Sequence, residues 1–238
     1  MVKTVAIITA RGGSKRIPGK NIKEFCGKPI IAYSIQAALD SQLFDAVMVS
    51  TDDEKIADVA RSLGAEVPFM RSEKTSNDFA TTEDALKGVI ENYHKQGEEF
   101  ELACNIYPTA PFITAKRLKE AYEIILAGEC NAVFPVVQFS FPPQRGLSEA
   151  GGYLQPTSPD DYMKRSQDLQ PIYARQFDVA GNQVYTFCMV QNCRLKSSRQ
   201  IVARFHCCFQ NICKLMLHLV GILKPKTLSE APLWIGID

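Results

Sequence analysis

Twelve residues near the start of the chain, ARGGSKRIPGKN at positions 10–21, combine glycines with cations in a pattern that suits an anion. They follow an apolar run, TVAIIT at 4–9, which is typical of a strand buried on both faces. Glycines after a strand let successive backbone amides approach a ligand and form an anion-binding nest. The residues that would complete such a polyphosphate site are Arg11, Gly12, Gly13, Ser14, Lys15 and Lys20.

This loop matches neither of the common phosphate-binding fingerprints. A Walker loop ends in Gly-Lys-Ser/Thr and a dinucleotide loop spaces its glycines as GxGxxG, and positions 10–21 contain neither pattern. An exposed basic turn is the alternative interpretation. We favour phosphate binding because the glycines, four cations and Pro18 all follow a predicted strand, which is the context that a phosphate loop requires.

The elements that must position this loop alternate between strand and helix patterns. Strands are predicted at 4–9, 44–52, 66–70, 102–112 and 131–139, and helices at 28–42, 53–65, 81–97 and 115–129. This alternation predicts an α/β fold with three layers and a mainly parallel sheet. Because ligands bind at the carboxyl ends of parallel strands, the loop, Thr51-Asp52 and 107–111 should meet in one cleft.

Composition limits the classes of function. A chain of 238 residues with net charge +1 fits one α/β domain and shows no general attraction to nucleic acid or membranes. No window approaches the roughly 18 uninterrupted apolar residues of a membrane span. The opening MVKTVAIITARGG lacks the cleavage region of a signal peptide, so we expect a cytoplasmic protein.

The alternation stops after the strand predicted at 131–139. Residues 141–171 are rich in Pro, Gly and polar side chains and show no clear periodicity. A disordered loop is one interpretation of this segment. Its Gln144, Arg145 and Arg165, which stand among aromatic residues, fit a functional arm better.

Several separated motifs resemble one protein family, in that family's order. The opening loop, VSTDDEKIADVARSLGAEV at 49–67, RSEKTSNDFATTEDAL at 71–86 and NIYPTAPF at 105–112 resemble the cytidylyltransferases that activate nonulosonic acids, such as the CMP-sialic acid synthetases. FSFPPQRGL and RSQDL, further along the chain, resemble the pseudaminic acid branch of this family. The resemblance covers about residues 4–178.

This resemblance implies a nucleotide-diphospho-sugar transferase-like, Rossmann-type fold with a small dimerisation arm. The implied reaction joins CTP to a nonulosonic acid, here pseudaminic acid, and yields the CMP-sugar and pyrophosphate for surface or flagellin glycans. Such an in-line displacement depends on alignment and charge neutralisation and needs no covalent nucleophile. Mg²⁺ is the implied cofactor, bridging α- and β-phosphate oxygens. The implied assembly is a homodimer in which the arm, 141–171, helps to close the neighbour's sugar site.

The matched positions carry implied roles in nucleotide binding. Those that bind nucleotide, line the phosphates or contact the base are Arg11, Ser14, Lys15, Lys20, Asn21, Arg71, Ala80 and Thr82. Arg71 could also be a surface cation. Asp52 and Asp53 could suggest a metal pair, but we favour capping of the following helix.

A second group of positions is assigned to the sugar. Tyr107 stands where sialic acid synthetases usually have Gln, and Thr109 lies on the ligand edge of the sheet, where a sugar or ribose contact is expected. Gln144 and Arg145 are predicted to bind the sugar acid, because Arg pairs bidentately with a carboxylate. Arg165 falls on an arginine-rich segment that the resemblance links to catalysis. Arg11, Lys20 and Arg165 are therefore the predicted catalytic residues.

The chain departs from the family pattern after about residue 187. Residues 188–238 hold seven Lys/Arg against two Asp/Glu, and five of the eight cysteines. The closing QDID motif whose aspartates carry the metal in relatives does not occur, so no metal ligand is assigned. We therefore divide the chain into a cytidylyltransferase domain, 1–187, and an atypical tail, 188–238.

One hypothesis for this tail is a shifted reading frame from near Phe187. We expect the tail to be poorly ordered and the chain to be weak or inactive as an enzyme. Two alternatives stay open: an N-acylneuraminate (sialic acid) cytidylyltransferase, and a catalytically inactive CTP-binding relative. Pyrophosphate release distinguishes an enzyme from a binding protein, and a comparison of sugars distinguishes the two enzymes.

Overall fold

A computed structural model describes residues 2–15, 17–128, 130–175, 187–191 and 233–237 of the chain. The strands are β1 (Thr4–Thr9), β2 (Glu24–Phe25), β3 (Lys28–Pro29), β4 (Ala46–Ser50), β5 (Leu102–Ile106), β6 (Ala132–Gln138), β7 (Leu147–Ala150), β8 (Tyr153–Pro156), β9 (Tyr173–Arg175), β10 (Phe187–Gln191) and β11 (Leu233–Ile237). The helices are α1 (Ile31–Ser41), α2 (Glu54–Ser62), α3 (Glu73–Ser76), α4 (Thr82–Lys95), α5 (Ala115–Leu126) and α6 (Pro159–Tyr162). Single turns of 3-10 helix lie at Lys20–Ile22, Pro143–Arg145 and Ser166–Asp168.

Among the described residues, the main sheet has seven strands, in the order β11-β6-β10-β5-β1-β4, with β9 also pairing with β6. β1 is parallel to both of its neighbours, so that Val5 stands opposite Ala46 on β4 and Ala103 on β5. β10 lies antiparallel between β5 and β6, and β9 and β11 pair antiparallel with β6. The parallel part of the sheet is therefore centred on β1, the strand that leads into the glycine-rich loop.

Helices cover both faces of this sheet, which confirms the predicted α/β class. Ala6 and Ile8 of β1 belong to a core cluster that includes residues of α1, α2 and α5. Val5 and Ile7 point to the opposite face, into a cluster that includes residues of α4. Because successive side chains of a strand alternate between faces, a strand covered on both sides must be apolar at nearly every position.

The four predicted helices correspond to α1, α2, α4 and α5, and side chains cap the starts of α2 and α4. Asp53 caps α2, because its Oδ1 accepts hydrogen bonds from the backbone N–H groups of Lys55 (2.8 Å) and Ile56 (3.4 Å). Thr81 and Asp84 form a capping box at the start of α4. Hydrogen bonds from Thr81 hold the pKa of the Asp84 carboxyl below its usual value.

Some elements differ from the predictions. The strand predicted at 66–70 is reduced to a single bridge between Met48 and Glu66. Two short hairpins, β2–β3 and β7–β8, were not predicted. The second closes through Gly151 and Gly152, both with positive φ, between Ala150 and Tyr153. All four strands of these hairpins are short and largely exposed, so they carry no apolar alternation that would reveal them.

Most of the predicted tail, residues 192–232 and Asp238, lies outside the described residues. The expectation that the tail is poorly ordered therefore stays a prediction. Two described segments of this region, β10 and β11, are strands of the main sheet. No helix in the described ranges combines the length and apolar character needed to cross a membrane.

Candidate functional site

The glycine-rich loop leaves β1 beside the start of α2. The Gly12 amide donates to Asp52 Oδ1 at 2.9 Å, and the Ser14 amide donates to the Gly12 carbonyl at 2.8 Å. A Cβ atom at Gly12 would lie only 2.7 Å from Asp53 Oδ2 and 2.8 Å from Asp53 Cβ. Glycine is needed here because any side chain would collide with the residue that caps α2.

Two clefts open beside this loop, where a single cleft was expected. The larger, of about 500 Å³, is lined by Gly12, Gly13, Ser14, Lys15, Pro18, Gly19, Ser76, Asn77 and Asp78. The smaller, of about 240 Å³, is lined by Thr9, Arg11, Lys20, Asn21, Arg71, Thr75, Ala80, Thr81, Thr82, Ala85, Tyr107, Pro108 and Thr109. The loop contributes residues to both clefts, and no described residue lines both.

The smaller cleft collects the predicted residues that the chain keeps far apart. Eight predicted positions line it: Arg11, Lys20, Asn21, Arg71, Ala80, Thr82, Tyr107 and Thr109. They come from the loops after β1 and β5 and from the stretch between α2 and the first residue of α4. The carboxyl ends of the neighbouring parallel strands β1, β4 and β5 lie at one edge of the sheet, which is where α/β folds bind ligands.

Arg71 is held in place by the end of β4. Its Nη2 donates to the Ser50 carbonyl at 2.6 Å, and its Nε donates to Ser50 Oγ at 3.1 Å. Burial lowers the pKa of the Arg71 guanidinium, while the nearby Asp52 carboxylate acts in the opposite direction. A half-buried guanidinium fixed in this way is a positioned cation at the cleft, which argues against the alternative of a simple surface charge.

Asn21 brings an unused acceptor to the same cleft. The residue is 2% exposed, and its Nδ2 donates to the Arg11 carbonyl at 2.9 Å. Its Oδ1 is buried and has no hydrogen-bond partner among the described residues. Buried polar atoms are rarely left unpaired, so this oxygen calls for a donor that the described residues do not supply.

The structure also adds a residue that the sequence analysis did not single out. Asp78 forms an ion pair with Lys15, and its Oδ1 lies 3.4 Å from Nη1 of Arg11. The same Arg11 Nη1 donates to the Asn77 carbonyl at 3.1 Å. Asp78 stands inside the quoted motif RSEKTSNDFATTEDAL, but nothing in its local pattern indicates that it faces a loop more than sixty residues earlier.

Three predicted sugar-site residues lie in the arm and line neither cleft. Arg165 makes a bidentate ion pair with Asp168, with Nε–Oδ2 and Nη2–Oδ1 distances of 2.7 and 3.0 Å. Arg145 donates to Ser166 Oγ at 3.2 Å, and Gln144 donates to the carbonyl of residue 170 at 2.7 Å. The contacts of Gln144 and Arg145 join the two ends of the arm within one chain. The role of all three residues in sugar binding, and that of Arg165 in catalysis, stays a prediction.

The described residues do not by themselves form a metal site. Among them, no three His, Cys, Asp or Glu side chains are grouped so that they could hold a metal ion. Asp52 accepts from the Gly12 amide and Asp53 caps α2, so both acids after β4 already have structural partners. Of this pair, Asp53 caps the helix, which is the favoured interpretation. Asp52 holds the glycine-rich loop through the Gly12 amide.

A parallel-centred sheet between two layers of helices, with a cationic, glycine-rich loop at the carboxyl end of its first strand, is typical of nucleotide-binding α/β proteins. Residues 5–141 match the family model described as cytidylyltransferase, and the chain belongs to this family.

Known relatives agree with this assignment. The chain is 41% identical over 174 residues to the pseudaminic acid cytidylyltransferase of Campylobacter jejuni serotype O:23/36, which is 72% of this chain and 75% of that protein. It is 44% identical over 133 residues to N-acylneuraminate cytidylyltransferase A of Danio rerio, which is 56% of this chain and 30% of that protein. The resemblance stated from the motifs is therefore confirmed.

A solved structure supports the fold. CMP:2-keto-3-deoxy-manno-octonic acid synthetase, solved in complex with CTP, matches with a TM-score of 0.56 and 18% identity. The match covers 90% of this chain and 86% of that one. At this level of identity, the likeness bears on the fold alone.

Proposed function

We propose that the protein joins CTP to a nonulosonic acid, pseudaminic acid in the first place, and releases pyrophosphate as the CMP-sugar forms. The observation that carries this proposal is the convergence of Arg11, Lys20, Asn21 and Arg71 on one cleft, in a chain that is 41% identical to a pseudaminic acid cytidylyltransferase. The proposed location is the cytoplasm, as the sequence analysis expects. The proposed use of the product is in surface or flagellin glycans.

The described residues suit a reaction that depends on charge neutralisation. In the proposed step, the anomeric hydroxyl oxygen of the sugar bonds to the α-phosphorus and its proton passes to solvent. The bond from that phosphorus to the bridging oxygen breaks, and pyrophosphate leaves with the electron pair. Negative charge grows on the phosphate oxygens, and Arg11 and Lys20 are the cations placed to stabilise it. Arg71 and Asn21 hold the nucleotide in position, which removes part of the entropic barrier.

Mg²⁺ remains part of this proposal as a cofactor. The described residues do not form a protein cage for it, and Mg²⁺ commonly reaches nucleotide sites held largely by phosphate oxygens and waters. When bound there, it would reduce the negative charge that faces the sugar hydroxyl. Chelation with EDTA is expected to remove the activity, and restoring excess Mg²⁺ is expected to return it.

The test is pyrophosphate release by the purified chain with CTP, Mg²⁺ and a panel of pseudaminic, N-acetylneuraminic and diacetyllegionaminic acids. We expect release to be fastest with pseudaminic acid, at a rate below about 1 per second. The low rate is expected because the chain lacks the closing aspartate motif attributed to its relatives. An EDTA-treated reaction and a reaction without sugar are the controls.

Each other outcome of this assay supports a different function. Faster release with N-acetylneuraminic acid would favour the N-acylneuraminate cytidylyltransferase. CTP binding without release for any sugar would favour the inactive CTP-binding relative. Release well above about 1 per second would contradict the expected impairment by the tail.

We also propose that the protein is a homodimer formed through the arm, 141–171. The arm holds five of the ten large apolar side chains that are exposed among the described residues: Phe141, Leu147, Tyr153, Leu154 and Met163. Exposed apolar groups that cluster on one segment mark contact surfaces, because their burial against a partner removes them from water. A second copy of the chain is the partner that the family resemblance implies.

Light scattering on the eluting protein tests the dimer. We expect a mass of twice 26.5 kDa for the wild type and a shift toward the monomer for Tyr153→Ser with Leu154→Ser. Leu126→Ser is the control, because this exposed leucine lies on α5, outside the arm. A monomeric wild type at high concentration would contradict the proposal.

A further inference from the structure

Asp78 pairs with Lys15 and Arg11, two cations that a bound phosphate chain would need. Lys15 forms an ion pair with its Oδ2, and Arg11 Nη1 lies 3.4 Å from its Oδ1, so one carboxylate bridges both side chains. The Lys15 hydrogen bond is the largest cause that holds the pKa of the Asp78 carboxyl below its usual value. Asp78, Lys15 and the loop glycines line the same larger cleft.

The backbone around Asp78 keeps this carboxylate directed at the loop. Asn77 Oδ1 accepts hydrogen bonds at 2.9 Å from the amides of Phe79 and Ala80. These bonds close a turn that contains Asp78. Arg11 donates to the Asn77 carbonyl as well. Lys15 and Arg11 are therefore held by both oxygens of the Asp78 carboxylate and by the Asn77 carbonyl.

We propose that Asp78 is an internal counter-anion of the phosphate-binding loop, holding Arg11 and Lys15 in the free protein and yielding them to a di- or triphosphate. A carboxylate and a phosphate compete for the same N–H donors, so part of the binding energy of the nucleotide replaces the Asp78 contacts. The inference rests on the proposed function, because it concerns the phosphates of the same nucleotide.

Displacement of Asp78 by a phosphate would also affect the smaller cleft. Among the residues that line that cleft are three that begin two positions after Asp78, namely Ala80, Thr81 and Thr82. Thr81 caps α4, which anchors the far end of this short segment. When a phosphate displaces Asp78, the released segment is the part of the chain that can adjust around the rest of the ligand. Asp78 is therefore a positioning residue that couples the two clefts.

Titration calorimetry with inorganic pyrophosphate tests this role. Asp78→Asn is expected to bind pyrophosphate about three- to tenfold more tightly than the wild type, because two exposed ion pairs no longer compete. Its affinity should also fall more steeply with salt, since two uncompensated cations face the ligand. Asp78→Glu, which restores the charge, should return the affinity toward the wild-type value.

Glu73→Gln is the matched control, because it removes one negative charge from the exposed face of α3 without contacting the loop. Unchanged or weaker pyrophosphate binding by Asp78→Asn, with binding by the wild type intact, would overturn this inference and leave the proposed function standing. If the wild type bound neither pyrophosphate nor CTP, the inference about Asp78 and the proposed function would both be overturned. Thermal melting of each variant shows whether it is folded.

Discussion

Replacing Arg11 and Lys20 together by alanine is expected to weaken CTP binding by about a hundredfold or more. Both residues line the smaller cleft, and both side chains are cations that a triphosphate can pair with. Hydrogen bonds between charged partners are stronger than neutral ones, and their loss leaves phosphate oxygens without compensation. Titration calorimetry with CTP, compared with the wild type at one salt concentration, measures the effect.

The control for this double variant is Lys23→Ala with Lys116→Ala. It removes the same net charge from exposed lysines that line neither cleft. We expect this control to bind CTP nearly as the wild type does, because exposed charges that line neither cleft are screened by salt. Undiminished binding by the Arg11 and Lys20 variant would show that the nucleotide phosphates bind elsewhere, and the proposed function would fail with it.

Replacing Gly12 by alanine is expected to destabilise the fold by about 1–2 kcal/mol, the loss associated with a helix N-cap. The new methyl group would stand at 2.7–2.8 Å from atoms of the Asp53 side chain, so this cap of α2 must move. The Gly12 amide would also be drawn away from Asp52 Oδ1. A lowered melting temperature in a thermal denaturation experiment is the expected result.

Gly13→Ala is the matched control for this prediction. A Cβ atom at Gly13 meets no atom within 4 Å, and neither residue has a positive φ, so the two substitutions differ mainly in what the methyl group contacts. We expect Gly13→Ala to melt close to the wild type. Equal melting temperatures for the two variants would show that the contact between Gly12 and Asp53 does not limit stability.

The parts of the fold that were predicted correctly are those with a strong local signal. β1 is a short run of apolar residues because both of its faces are covered, and α4 begins at a Thr-x-x-Asp capping box. The hairpins β2–β3 and β7–β8 are mostly exposed and lack such periodicity. The strand expected at 66–70 failed because a short apolar stretch does not specify a pairing partner.

The candidate site also divides into features that have a local sequence signal and features that have none. The glycines and cations of the opening loop indicate anion binding through residue type and spacing alone. Arg71, Thr82 and Tyr107 entered the prediction through their motifs, and the parallel strands explain why they meet. The division into two clefts and the contact of Asp52 with Gly12 depend on distances between segments that are far apart in the chain.

By itself, the sequence determined the family, the α/β class and the chemistry of the loop, because these depend on residue type, periodicity and motif order. Tertiary structure decided which charges face one another. Asp78 lies more than sixty residues from Arg11 and Lys15, and only the folded chain brings its carboxylate to their side chains. Electrostatic interactions weaken with distance in space and are indifferent to separation along the chain. Such pairings are therefore set by the packing of strands and turns.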